Sequence, residues 1–473
     1  MISILKRPIL FKVGLPLLVA LFLWYTPCPS GLEMKGWHLF ALFFATITAL
    51  ITRPFPIGAV ALFSILACSL TGTLNLKKEI LPCFGSNLIW LVLFVIFIAR
   101  AFLKTNLGRR LAYIFIKFFG STSFGLGYGI LLLELLTAPF IPSSTARSGA
   151  VIFPIVKSIS QALGSCPQKN TSKKIGAYLT QVAYHGNIVT SAMFLTAMVA
   201  NPMIQMMVAK MNVHITWILW AQAAIAPGLI SLLILPIFLH VIYPPEVKNF
   251  PGAQLWAEKK LRELGKISIK ERILIGVCLL MLFLWVTGDQ FKIDTTLVAL
   301  LGLSLLLLTN ILTWEDILQE KESWNTLLWL SILLMLSSML QECGFAHWIS
   351  QNIASPLQTI STPYAFVFLC LLYFYSHYLF AGNVAHVGAL YIPFLSVAIS
   401  IGAPPIIAAL VLAFFSSLFS SMTHYATAPA AILFSARYLS LKEWWICGFL
   451  ISLVNVLIWL SLGSLWWKLL NLW

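Results

Sequence analysis

Four short polar strings interrupt long apolar stretches of this 473-residue chain, and their residue types suit holding an anion better than breaking a bond. In the first, Thr137-Ala138-Pro139-Phe140-Ile141-Pro142-Ser143-Ser144-Thr145-Ala146-Arg147-Ser148-Gly149, two prolines end one apolar arm, since each lacks an amide proton and clashes with the preceding turn. Ser143, Ser144 and Thr145 then open a second arm at a capping position, where free backbone amides and hydroxyls can meet negative charge. Arg147 follows. An arginine at mid-membrane depth costs about 2.5–3.5 kcal/mol on insertion scales, so it faces a partner. An anionic ligand is the expected partner, and Glu134, the one acid in the first arm, is the competing one.

The second string, Phe380-Ala381-Gly382-Asn383-Val384-Ala385-His386-Val387-Gly388, repeats the pattern, with Asn383 at the turn and His386 in the place of Arg147. The third and fourth, His185-Gly186-Asn187-Ile188-Val189-Thr190-Ser191 and Ser420 through Pro429, lie inside segments long enough to be helices. Unwound backbone at membrane depth survives only where it lines a cavity or is buried in protein. Ordinary helix capping and small polar residues gluing helices together are the competing uses of these strings. The candidate site therefore comprises Ser143, Ser144, Thr145, Arg147, Asn187, Thr190, Ser191, Asn383, His386, Thr427 and Pro429, all as substrate-binding groups.

Membrane helices must position these residues. With 60% apolar and only 10% charged residues, the composition excludes a soluble enzyme and a disordered scaffold. A span needs about 20 mostly apolar residues. The apolar segments predict an all-α polytopic membrane protein with about eleven transmembrane helices, its first span at residues 9–26 retained rather than cleaved. Two further blocks, 124–160 and 364–401, each hold two arms too short to cross, and read as re-entrant helical hairpins. Discontinuous helices are expected at 176–209 and 404–435. The net charge of +15 reads as topology, not as a nucleic-acid footprint. With the N-terminus in the cytoplasm and the C-terminus outside a cell (inner) membrane, only Lys35, Lys77, Lys78, Lys210, Lys292 and Lys468 fall outside, as the positive-inside rule requires.

Overlaid at an offset of 239 residues, Trp90 falls on Trp329, Ala146 on Ala385, Gly149 on Gly388 and Pro154 on Pro393. An odd number of spans separates the copies, so the second is inverted, an arrangement that puts substrate at the repeat interface and permits alternating access. The domain reading is 1–86 as N-terminal spans for scaffold and dimerisation, 87–243 as the first repeat, 244–272 as a solvated cytoplasmic linker, and 273–473 as the second repeat.

Enzyme chemistry lacks its parts. No paired-carboxylate, HExxH or Ser/His arrangement is present, and His424 beside Thr423 and Ser421 is the closest approach. An ion channel would show a repeated filter loop or rings of like charge. The eight cysteines lie far apart with no CxxC pair, so they read as structural thiols.

The layout of hairpin, broken helix, linker, hairpin and broken helix resembles the divalent anion:sodium symporter family. Ser143-Ser144-Thr145 is similar to its first Ser-Asn-Thr motif, Gly382-Asn383-Val384 keeps only the asparagine of the second, and Thr427-Ala428-Pro429 resembles its Thr-Pro-Pro. The strings Ala385 through Tyr391 and Ser191 through Ala197 look most like the 2-oxoglutarate/malate translocators of plastids and bacteria. That resemblance implies a homodimer in lipid that exchanges 2-oxoglutarate, malate and related C4–C5 dicarboxylates, with no cofactor. A fixed positive charge at Arg147 and His386 would repel sodium and replace it in neutralising a dianion, so sodium coupling is disfavoured. A sodium-coupled symporter is the alternative.

Overall fold

The computed structural model describes residues 2–141, 143–345, 348, 351–352, 360–380 and 382–473. Pro142 and Ala381, at the two turns singled out above, lie outside the described residues. The described residues form helices and, beyond one isolated bridge between Thr122 and Asn249, no strand pairing.

In chain order the first helices are α1 (Ile2–Tyr25), α2 (Met34–Thr52), α3 (Ile57–Leu70), α4 (Asn87–Thr105), α5 (Leu107–Phe119), α6 (Ser123–Thr137) and α7 (Phe153–Ala162). The middle of the chain forms α8 (Gly176–Met193), α9 (Ala200–Ala209), α10 (Trp217–Ile242), α11 (Ala253–Leu264), α12 (Ile269–Phe291), α13 (Thr295–Leu308) and α14 (Trp314–Leu318). The remainder forms α15 (Lys321–Glu342), α16 (Thr362–Tyr375), α17 (Asn383–Ser400), α18 (Pro405–Leu418), α19 (Ala428–Ser435) and α20 (Leu441–Leu469).

Sequence sets several of these boundaries through caps. Ser268 with Glu271, Thr313 with Asp316 and Ser440 with Glu443 close reciprocal capping boxes that start α12, α14 and α20. Among the described residues, seven helices are long and apolar enough to cross a membrane, and five shorter apolar helices accompany them. Eleven full spans were expected. The seven include the second arm of each hairpin block, Ala146–Lys169 and Asn383–Ser400, whereas the expected spans at 9–26, 57–74 and 295–312 form shorter apolar helices, Lys12–Tyr25, Ile57–Leu70 and Thr295–Leu308.

Two compact units emerge, and neither is a continuous stretch of chain. One comprises Met1–Leu93, Met203–His214 and Glu320–Leu412; the other comprises Phe94–Pro202, Ile215–Gln319 and Ala413–Trp473. The block 124–160 belongs to the second unit and folds as α6, a turn, a wide-turn (π) helix over Ala146–Ile152, then α7. Pro154 explains the widening. It offers no amide to the preceding turn, and a π-bulge accommodates the lost bond. The block 364–401 belongs to the first unit and folds as α16, a short 3-10 turn at Ser376–Leu379, and α17. Gly382 turns the chain there at φ 146°, a conformation that side chains disfavour.

The loop 244–272 contains α11, whose Ala253 and Ala257 are buried while much of the segment stays exposed, and α11 docks on α5. Tyr113 meets Trp256 edge-on at 5.6 Å, Lys117 bonds Glu258 at 3.0 Å, and the Ser123 amide bonds the Lys248 carbonyl at 2.8 Å. Arg110 anchors the far end, reaching Glu271 at 2.7 Å and the carbonyl of Gly265 at 2.9 Å. The apolar pattern of α5 leaves one face for this helix, which sequence composition alone hides.

Candidate functional site

In the second unit α6, the π turn and α8 converge on Arg147, which is completely buried. Its Nε donates to Glu134 Oε2 at 2.8 Å. Nη1 donates to the carbonyls of Ile141 (2.8 Å) and Ala197 (2.9 Å). Nη2 donates to Ser191 Oγ (2.7 Å), with the Asn187 carbonyl and Thr190 Oγ1 at 3.4 and 3.5 Å. A guanidinium has five donors, and protein acceptors surround all of them. Glu134, also fully buried, accepts in addition from Asn187 Nδ2 at 3.2 Å.

This geometry corrects the expectation that Arg147 presents its charge to a ligand. The competing partner wins: Glu134 cancels the charge at ion-pair distance, and no guanidinium proton remains for a carboxylate. Three further candidates serve the same centre. Ser191 and Thr190 accept from Arg147, and Asn187 bridges Glu134 to the Ser144 carbonyl.

The break in the 176–209 segment also lies elsewhere than expected. α8 stays helical through His185–Ser191 and unwinds at Phe194–Val199, with Phe194 and Met198 extended. The polar side chains satisfy Arg147 from an intact helix, so nothing there needs to unwind. Asn201 holds the actual break, donating from Nδ2 to the carbonyls of Ser191 (2.8 Å) and Phe194 (2.9 Å). Trp220 Nε1 takes the Ala192 carbonyl at 2.8 Å, and Thr196 Oγ ties the break to Pro139 at 2.8 Å. Sequence reasoning missed Asn201, Trp220, Thr196 and Tyr184; an asparagine before Pro202 inside an apolar segment was the available signal for the first.

At the second break α18 ends at Leu418, a 3-10 turn covers Phe419–Ser421, and α19 begins at Ala428. Thr427 caps α19 by accepting from the Ala430 amide at 3.2 Å, and the buried Pro429 occupies its first turn. Tyr184 of α8 steadies this end, donating to the Ser420 carbonyl at 2.6 Å and lying 3.5 Å from Thr427 Oγ1. α19 packs against the π turn, where Gly149 leaves room for Ile432. Ser143 caps the π turn through the Ala146 amide at 3.1 Å, and the neighbouring Ser144 and Thr145 are half-buried.

Asn383 and His386 belong to the other unit. Asn383 begins α17. His386 is buried, with Nε2 2.8 Å from Ser376 Oγ and the rings of Tyr373, Phe380 and His377 around it at 4.7, 4.8 and 5.3 Å. The arrangement offers hydroxyls and helix starts to an anion. Among the described residues no group of three or more His, Cys, Asp or Glu side chains could hold a metal ion.

Comparison with known proteins places these features in context. The family profile described as "Sodium:sulfate symporter transmembrane region" matches residues 9–473. YflS of Bacillus subtilis (strain 168), provisionally named a malate transporter, is 46% identical over 467 residues, covering 98% of this chain and 97% of YflS. Dicarboxylate transporter 1, chloroplastic, of Spinacia oleracea is 42% identical over 470 residues, covering 99% of this chain and 82% of its own length. The crystal structure of the YdaH transporter of Alcanivorax borkumensis is similar in fold, with TM-score 0.55, 10% identity and 99% and 98% of the two chains covered.

Proposed function

Starting from a chain that belongs to the sodium:sulfate symporter (divalent anion:sodium symporter) family of membrane transporters, we propose that it carries dicarboxylates across a cell membrane by antiport. 2-Oxoglutarate or a related C4–C5 diacid is exchanged for malate, without sodium. The substrate class is taken from the names of relatives similar over 97% and 82% of their own length.

One observation carries the coupling argument. Three carbonyls and two hydroxyls, from Ile141, Ala197, Asn187, Ser191 and Thr190, surround the two terminal nitrogens of Arg147. Such an oxygen cage is what a bare alkali cation would require, and the Arg147 guanidinium occupies it. Arg147 does so as half of a neutral pair, which supports a fixed cage that need not be loaded and unloaded with each cycle. Carboxylates then meet the hydroxyls of Ser144, Thr145 and Thr427 and the helix starts behind them; Asn383 and His386 are the corresponding candidates of the first unit. Ser143, Asn187, Thr190, Ser191, Arg147 and Pro429 shape that surface. The protein works as a homodimer with its N-terminus in the cytoplasm.

The test is counterflow. Purified protein in liposomes should take up radiolabelled malate only when 2-oxoglutarate or another diacid is loaded inside, at equal rates in sodium and choline buffers. Net uptake into diacid-free liposomes driven by a sodium gradient would replace antiport by symport.

A further inference from the structure

In the first unit, α2, α15 and the pair α16–α17 enclose a cavity of about 260 Å³. Its walls are built from Phe40, Phe44, Leu340, Phe380, Ala389 and Phe394, and among the described residues Ser337 and Gln341 are the polar side chains lining it. Each buried water takes about 30 Å³ and needs two to four polar partners, whereas apolar cavities stay dry and accept apolar ligands. Water is thus excluded by chemistry rather than by size. A dianion is disfavoured more strongly, because among the described residues no charged group lines the wall.

The solvent at the rim decides what remains. Phe44, Phe368 and Leu372, on the same α2 and α16 that bound the cavity, are 42%, 54% and 50% exposed. In a multi-pass membrane protein, such side chains on an apolar span such as α2 face hydrocarbon. We propose that this cavity is a binding site for one acyl chain of a membrane lipid, inserted between α2–α15 and the helix pair that carries Asn383 and His386. It lies outside the hydroxyl-lined site of the other unit, and the proposal holds whichever way the transport cycle is coupled.

Photolabelling tests it. Full-length protein is reconstituted in phosphatidylcholine liposomes doped with a phosphatidylcholine bearing a diazirine at its acyl terminus, irradiated, digested and mapped. Adducts should concentrate on Phe40–Phe44, Leu340–Phe345 and Leu390–Val397, at least fivefold above those on the exposed face of α20 at Leu453–Leu465. Filling the cavity by Ala389→Phe should remove that excess and leave α20 labelling unchanged. With the unsubstituted protein, moving the diazirine beside the ester should also abolish the excess, so the test does not depend on the variant folding. Even labelling of all lipid-facing helices, or an excess that survives both changes, would overturn the site.

Discussion

Arg147 and Glu134 stand or fall together. Removing one partner of a buried ion pair costs about 3–5 kcal/mol because the other charge is left stranded, whereas replacing both by apolar groups can be neutral. Glu134→Gln alone and Arg147→Met alone should each lower the detergent-solubilised melting temperature sharply, while the double variant Glu134→Leu/Arg147→Met recovers most of the loss. A double variant as unstable as the sum of the singles would show that the pair does more than neutralise itself. Asn201 makes a second residue-scale prediction. Asn201→Leu strands the carbonyls of Ser191 and Phe194, each worth about 1–3 kcal/mol when buried without a donor, so malate KM should rise while Tyr184→Phe, which removes one hydroxyl bond, has the smaller effect. The sequence showed that Arg147 needs a partner and that Glu134 was available, but spacing along an arm does not reveal whether a guanidinium turns toward its own arm or toward a cavity. Asn201 was harder to see, since its role depends on where α8 stops.

Elements stop where the chain supplies breakers or caps, which is why Pro139, Gly382 and Thr427 mark boundaries visible in the sequence. α8 ends differently: Phe194 and Met198 have no intrinsic preference against helix strong enough to locate the break, and tertiary bonds from Asn201 and Trp220 fix it instead. Close approach supplies a sharper test at this scale. A Cβ on Gly149 would lie 2.9 Å from Ile432 Cδ1, between the π turn and α19. Gly149→Ala should therefore reduce exchange several-fold in liposomes, and Ile432→Val, which deletes that one methyl, should restore it in the double variant. Failure of the rescue would assign the loss to the wide turn itself.

For the whole molecule, composition was enough to recognise an all-helical membrane chain, but not that α11 folds back on α5. Outside the core, ion pairs such as Lys35 with Glu79 and Lys173 with Glu443 join groups far apart in the chain. The pair of Arg110 and Glu271 makes that docking pH-dependent. Burial works to raise the Glu271 carboxyl, yet hydrogen bonds from Arg110 and Ser268 outweigh it and hold the group below the usual range. A depressed carboxyl adds stability that is present above the unfolded value of about 4.3 and is lost as pH falls through the folded one. The melting-temperature difference between the native chain and Glu271→Gln should thus stay constant above about pH 5.5 and shrink on acidification below it.

The first unit is assembled from the beginning, middle and late parts of the chain, closing only with Glu320–Leu412. During translation, therefore, α1 to α3 wait in the bilayer for partners synthesised some 250 residues later, counted from Leu70 to Glu320. A ribosome halted before residue 320 would leave a nascent chain whose early helices remain accessible to proteases and insertion factors, and no contiguous fragment contains either unit without segments of the other.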